Sequence, residues 1–160
     1  MNQANIDLIK AECDNQRLVY LPAVAYVLAT VEHETAGTYD PVREAFYLGS
    51  KAEAYRKTLR YYPYYGRGFV QLTWRDNYAR YAGILGKNLL ADPDQVMEPH
   101  VSAFILVHGF VNGTFTGAKI SNYIHEGRKD YIAARKCING ADAAEHIAQL
   151  AEAWEERMSQ

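Results

Sequence analysis

Apolar residues along this chain recur at steps of three and four, and alternation is rare; the elements this predicts are helices. Residues 4–18 carry Ile6, Ile9 and Cys13 at roughly helical spacing. A second helix is predicted from Pro22, a favourable first-turn residue. Ala23, Val24, Val27, Leu28 and Val31 then form one stripe of 3.6-residue period, and Gly37 is the expected stop. Ser50-Lys-Ala-Glu53 has the spacing of a capping box and predicts a third helix running to Arg60. RYYPYYGRG follows, a turn by its Pro and Gly punctuation, then a short extended run over 68–72 and a helix over 74–85. Asp92-Pro93 and Glu98-Pro99 each announce a helix start, the second followed by a core stripe of Val101, Phe104, Ile105, His108 and Val111. Residues 129–138 read as helical up to Asn139-Gly140. A last helix is expected from Asp142, with Ile147, Leu150, Ala151, Trp154 and Met158 as its docking face. Strand signals are too few for a sheet-based core. With no repeat and no linker, the prediction is a mainly α fold, one domain over residues 1–160.

Composition narrows this picture. At 49% hydrophobic, the chain has enough apolar material to form a core without covalent staples. Cys13 and Cys137 are too few for a disulfide framework or a zinc site, and are expected to be buried small hydrophobes. The net charge of −2 conceals an asymmetry. Residues 51–80 hold seven Lys and Arg against Glu53 and Asp76, whereas 142–160 hold five acidic residues against Arg157. A basic middle favours an anionic polymer, although solvated helix faces account for the same pattern. Nothing in it points to nucleic acid. Apolar runs fall short of the ~18 residues of a membrane span, so no membrane insertion is expected. No basic-then-apolar segment opens the chain, so no secretory signal is expected.

One position breaks the pattern of the second helix. With Val27 set at zero and 100° per residue, Glu34 falls at about −20°, inside the apolar stripe, and Glu32 at about 140°, toward the polar side. A carboxylate there is costly unless paired or protonated. Burial and the negative end of the helix dipole both favour the protonated form, which is what a general acid requires. The bland alternative is a buried ion pair, with Arg67 as the candidate partner. Glu44 lies ten residues on, in a polar loop where it would stay ionised. One protonated and one ionised carboxyl across a gap is the requirement for glycoside hydrolysis. A separation of roughly 6.5–9.5 Å leaves room for water and inverts the anomeric centre. A surface-loop glutamate is the plain alternative for Glu44, and Glu53 is a rival better explained by its capping box. No metal site is expected: HExxH would need histidine where Gly37 stands. No cofactor motif stands out either, Gly66-Arg-Gly68 being a lone GxG.

The pieces HET at 33–35, YYGRGFVQLTWRDNY at 64–78, LLADPD at 89–94 and KCINGA at 136–141 together resemble the glycoside hydrolase family 19 chitinases, in particular their short bacteriophage endolysin branch. The resemblance implies a lysozyme-like, two-lobed helical fold with a substrate cleft. It implies Glu34 as general acid, Glu44 as the base that activates water, and Thr73 as the residue that helps hold that water. Asn139 is implied as a sugar ligand, and Tyr65, Arg67 and Gln71 as residues at the cleft. Each has a plainer reading: Thr73 as the cap of the next helix, Asn139 as a helix-ending residue in the left-handed region, Arg67 as an ion-pair partner, the tyrosines at 61, 62, 64 and 65 as loop packing. INGADAAE departs from the family's usual continuation after ING, and the chain lacks the loop insertions and disulfides of plant chitinases, which implies a shorter, more open groove. The expected activity is hydrolysis of β-1,4 links between N-acetylated aminosugars by a cofactor-free monomer. The expected substrate is peptidoglycan, reached from the cytoplasm through a holin-like pore or another route. A chitinase, a lytic transglycosylase and a non-catalytic wall-binding module are the alternatives.

Overall fold

The second helix is apolar around most of its circumference, and a helix of that kind has to be covered on several sides. In the computed structural model, which describes residues 1–160, this helix is α2 (Leu21–Glu34); nine of its residues, from Pro22 to Val31, are buried. It follows α1 (Gln3–Asn15), whose first turn is closed by the Asn2 side chain accepting from the Asn5 amide at 3.1 Å. After it come α3 (Ala52–Arg56), α4 (Arg75–Leu85), α5 (Pro99–Asn112) and α6 (Ala144–Met158). The heaviest packing is α6 on α2, and α5 lies on α1. Ile147, Ala148, Ala151 and Trp154 bury the face of α6 that the sequence marks. Glu32 is not turned to open water. It accepts from Trp154 Nε1–H at 2.8 Å and from the Tyr39 hydroxyl at 3.3 Å, so the polar side of α2 is where α6 is fastened.

The architecture is the mainly α, lysozyme-like one. Its less regular lobe rests on a two-residue antiparallel ribbon, β1 (Val42–Arg43) with β2 (Arg67–Gly68), in the register Val42 to Gly68 and Arg43 to Arg67. A second ribbon pairs β3 (Ile124–His125) with β4 (Arg128–Lys129). The first is bolted to α5: the Phe69 amide donates to Ser102 Oγ at 2.7 Å. Only glycine fits at 68, where φ is +93° and a Cβ would stand 2.5 Å from Ser102 Oγ. One contiguous hydrophobic cluster runs through all this, from Ile6 to Trp154. Cys13 and Cys137 are both buried and free.

Several local expectations are corrected. No capping box forms at Ser50. Residues 46–51 are a 3-10 turn, α3 begins at Ala52 without a side-chain cap, and it ends at Arg56, short of Arg60. Glu53 instead pairs with Arg56 at 3.4 Å and accepts from the Tyr62 hydroxyl at 3.0 Å. Thr73 does not cap α4; its hydroxyl donates to the Gln71 carbonyl at 2.9 Å. α2 stops at Glu34, before Gly37, because the Thr35 hydroxyl turns back to the Val31 carbonyl and receives the Tyr39 amide. Asp92-Pro93 opens a 3-10 turn, Pro93–Met97, and the 129–138 helix is reduced to the 3-10 turn Ala133–Cys137. Asn139 is not left-handed; Ala143 is, and α6 starts one residue later.

Candidate active site

Glu34 occupies the last position of α2, and its side chain keeps 19% exposure. Its partner is Arg135, not Arg67. Arg135 Nη1 stands 3.5 Å from Glu34 Oε1, and the Arg135 side chain is 3% exposed. Arg135 Nε donates to the Asp142 carbonyl at 2.8 Å, while Nη1 has no hydrogen-bond acceptor. Burial raises the Glu34 carboxyl above its usual range, Arg135 pulls it back, and Asp142 adds to the rise. The C-terminal end of the helix acts in the same direction as burial. His33 beside it is held below the usual imidazole range by burial, then by Arg135 and by His146, whose ring lies 5.5 Å away.

Glu44 is fixed in a different way. Its Oε2 accepts from the Tyr61 hydroxyl at 2.6 Å and its Oε1 from the Gly66 amide at 3.0 Å. Its backbone carbonyl accepts from Arg56 Nε at 2.8 Å, and its amide donates to the Gly66 carbonyl at 2.7 Å. Two donors, one on each oxygen, thus fix the orientation of this carboxyl group. Tyr61 is correspondingly kept protonated, its phenol raised by burial and by the bond to Glu44.

Beside Tyr61 lies a cavity of about 340 Å³, lined by Tyr61, Gln71, Thr73, Trp74, Asn77 and Asn139 with four apolar neighbours. Tyr61 links this lining to Glu44. Asn139 follows the turn that carries Arg135, the partner of Glu34. Gly66 sits against the floor: a Cβ there would meet Gln71 Oε1 at 2.7 Å and Thr73 Oγ1 at 3.2 Å. Gln71 Nε2 donates to the Val42 carbonyl at 2.8 Å, so this side chain also fixes the β1–β2 ribbon. Three non-glycine residues next to or within the site, Ala45, Gln71 and Trp74, have φ of +61°, +60° and +77°. Left-handed backbone at such residues costs about 1–2 kcal/mol each and concentrates where side chains must be aimed.

Thus Gln71, Thr73 and Asn139 come together on one surface; Glu44 is tied to it through Tyr61, and neither Glu34 nor Glu44 itself lines it. Tyr65 and Arg67 do not line it. Tyr65 is 5% exposed, and the Arg67 guanidinium lies 3.8 Å from its ring centre. Arg67 donates to Asp94 at 2.9 Å, to the Pro63 carbonyl at 2.8 Å and to the Tyr78 hydroxyl at 3.0 Å. Three of its five N–H donors are taken within the protein and its side chain is buried, so it braces the loop instead of facing the cavity. Sequence reasoning missed Arg135, Trp74 and Asn77. Trp74 is 44% exposed, stacks at 4.8 Å on Tyr61 and lies under Arg60 at 5.1 Å. The signal available in the sequence was a tryptophan directly ahead of the polar first turn Arg75-Asp76-Asn77. No group of three or more His, Cys, Asp or Glu side chains is arranged to hold a metal ion, and no helix is long and apolar enough to cross a membrane.

Comparison with known proteins gives the family and the fold. The family model for class I chitinases of glycoside hydrolase family 19 matches residues 22–112. Endochitinase CHI of Arabidopsis thaliana is 49% identical over 41 residues, 26% of this chain and 15% of that protein. Endochitinase WIN8 of Populus trichocarpa is 42% identical over 67 residues, 39% of this chain and 21% of that protein. The chain therefore matches well under half the length of these relatives. The crystal structure of chitinase C from Streptomyces griseus HUT6037 superposes on all of this chain and 62% of its own, with a TM-score of 0.52 and 23% identity, a likeness of fold.

Proposed function

This chain belongs to glycoside hydrolase family 19, and from that premise we propose that it cleaves β-1,4 links between N-acetylated aminosugars in a chitin-like polysaccharide. The observation that carries the proposal is the contrast between the two carboxyl groups: Glu34 is desolvated and raised, and Glu44 is held as an acceptor by Tyr61 and Gly66. In this reading Glu34 gives its proton to the leaving glycosidic oxygen. Water attacks the anomeric carbon from the other face and passes a proton to Glu44, with Thr73 helping to hold that water. The product is inverted. Arg135 has an unsatisfied Nη1 3.5 Å from Glu34 and is placed to stabilise the carboxylate left after transfer. Trp74 and Tyr61 offer aromatic faces to sugar rings, and Asn77 and Asn139 offer amide groups to N-acetyl substituents.

Chitin is the first substrate because the relatives are named as endochitinases. Peptidoglycan is the second, and a specific feature favours it. The exposed Arg60 overlies Trp74, a cationic rim to the cavity's aromatic wall suited to a glycan that carries acidic peptides. Digestion of N-acetylglucosamine oligomers and of purified sacculi, with NMR of the fresh anomer and mass of the fragments, tests both. Release of the inverted hemiacetal supports the reading. A 1,6-anhydro product would replace it with a transglycosylase, and binding without turnover would replace it with a wall-binding module.

A further inference from the structure

We infer that Tyr61 is a positioning residue for Glu44, holding it in the orientation that accepts a proton from water; this inference rests on the hydrolase reading above. The Tyr61–Glu44 bond is the shortest contact that Glu44 makes, 2.6 Å from hydroxyl to Oε2. Oε1 is taken by the Gly66 amide at 3.0 Å, so both oxygens are pinned by the segment that joins α3 to β2 and the carboxyl group has no free rotation about its own axis. The pin is itself held. The Tyr61 ring packs on Trp74 at 4.8 Å with a tilt of 55°, and both rings line the cavity. Trp74 is locked by a left-handed backbone, φ +77°, and its amide donates to the Tyr64 carbonyl at 2.9 Å. Tyr61 therefore presents its face to the cavity and its hydroxyl to the carboxylate. A sugar ring seated against Tyr61 and Trp74 would be registered against Glu44 by a single rigid side chain. No charged residue substitutes for this bond: Arg56, the cation bonded to Glu44, reaches its backbone carbonyl and not its carboxylate.

A double-mutant cycle tests it, with Tyr61→Phe, Glu44→Gln and the pair, on N-acetylglucosamine oligomers and on sacculi. Phenylalanine keeps the ring and the packing on Trp74, so melting midpoints taken alongside verify folding. Removing one hydrogen bond to a charged group predicts a fall in kcat of roughly tenfold to a hundredfold for Tyr61→Phe, with KM little changed. In the Glu44→Gln background the same change should cost nothing further, because Tyr61 acts only through that carboxylate. A purely structural tyrosine would lower the rate equally in both backgrounds, and a sugar-contact hydroxyl would raise KM; either result overturns the inference while leaving the hydrolase reading intact. Should Glu44→Gln turn over like the parent, or the parent cleave neither polymer, the hydrolase reading itself fails and the inference goes with it.

Discussion

At the residue scale, the position of Glu34 is a matter of a few degrees on a helix wheel. As it stands, burial raises its pKa, so its proton is retained to higher pH than on a free carboxyl, although Arg135 pulls the other way. Glu34→Gln should abolish cleavage, a loss of at least about a hundredfold, without unfolding the chain, since the site already tolerates a neutral side chain. The pH dependence of stability supplies a second reading. A carboxyl whose folded pKa is raised favours the folded state below its unfolded pKa, and this contribution is lost as pH rises through the folded pKa. Thermal melts from acid to neutral pH should thus show the parent losing ground to Glu34→Gln as pH climbs through that window. Arg67 illustrates the opposite case. The family resemblance pointed to it, yet it is walled in by Tyr65, Tyr78, Pro63 and Asp94. Arg67→Met should cost roughly 2–3 kcal/mol in denaturant unfolding before it shows any separate effect on KM.

At the element scale, the β1–β2 ribbon matters more than its two-residue strands suggest. It carries Glu44 next to β1 and Gly66 next to β2, and the Phe69 amide ties it to α5 through Ser102. Ser102→Ala would strand that buried amide at a cost of roughly 1–3 kcal/mol. Unfolding in urea should report the loss, and activity should fall as the floor loosens. Gly66→Ala acts more locally: the new methyl must displace Gln71 and press on Thr73. We expect a reduced kcat with a small change in melting midpoint. The helices themselves were legible because their apolar periods are long and their proline starts are strong, as at Pro22 and Pro99. Short elements were not. The Ser50 capping box has the correct letters, but the 3-10 turn over 46–51 arrives first and uses the chain differently.

At the scale of the whole molecule, α6 closes the fold back on α2 through a bond between residues 122 positions apart, Trp154 to Glu32. Trp154→Phe keeps the ring area and removes the donor, leaving Glu32 with the weaker Tyr39 contact; a loss of roughly 1.5 kcal/mol is expected in thermal unfolding. The uneven charge is also a property of this scale. If the cationic rim guides an acidic glycan, cleavage of sacculi should slow as salt is raised, whereas cleavage of neutral N-acetylglucosamine oligomers should not. Rates measured across a salt series on both substrates would separate steering from chemistry.

Periodicity by itself determined the main helices, the inward aim of Glu34 and the docking face of α6, because those follow from geometry within one helix and need no knowledge of what lies opposite. Motif letters determined which polar residues to gather, Gln71, Thr73 and Asn139 among them. Tertiary structure alone decided the partners. Arg135 stands beside Glu34 although 101 positions separate them, Tyr61 reaches Glu44 from beyond α3, and Arg67 is bonded to Asp94 instead of lining the cavity. Such choices depend on how separate elements cross in space, and a one-dimensional pattern carries no term for the distance between two side chains on different elements.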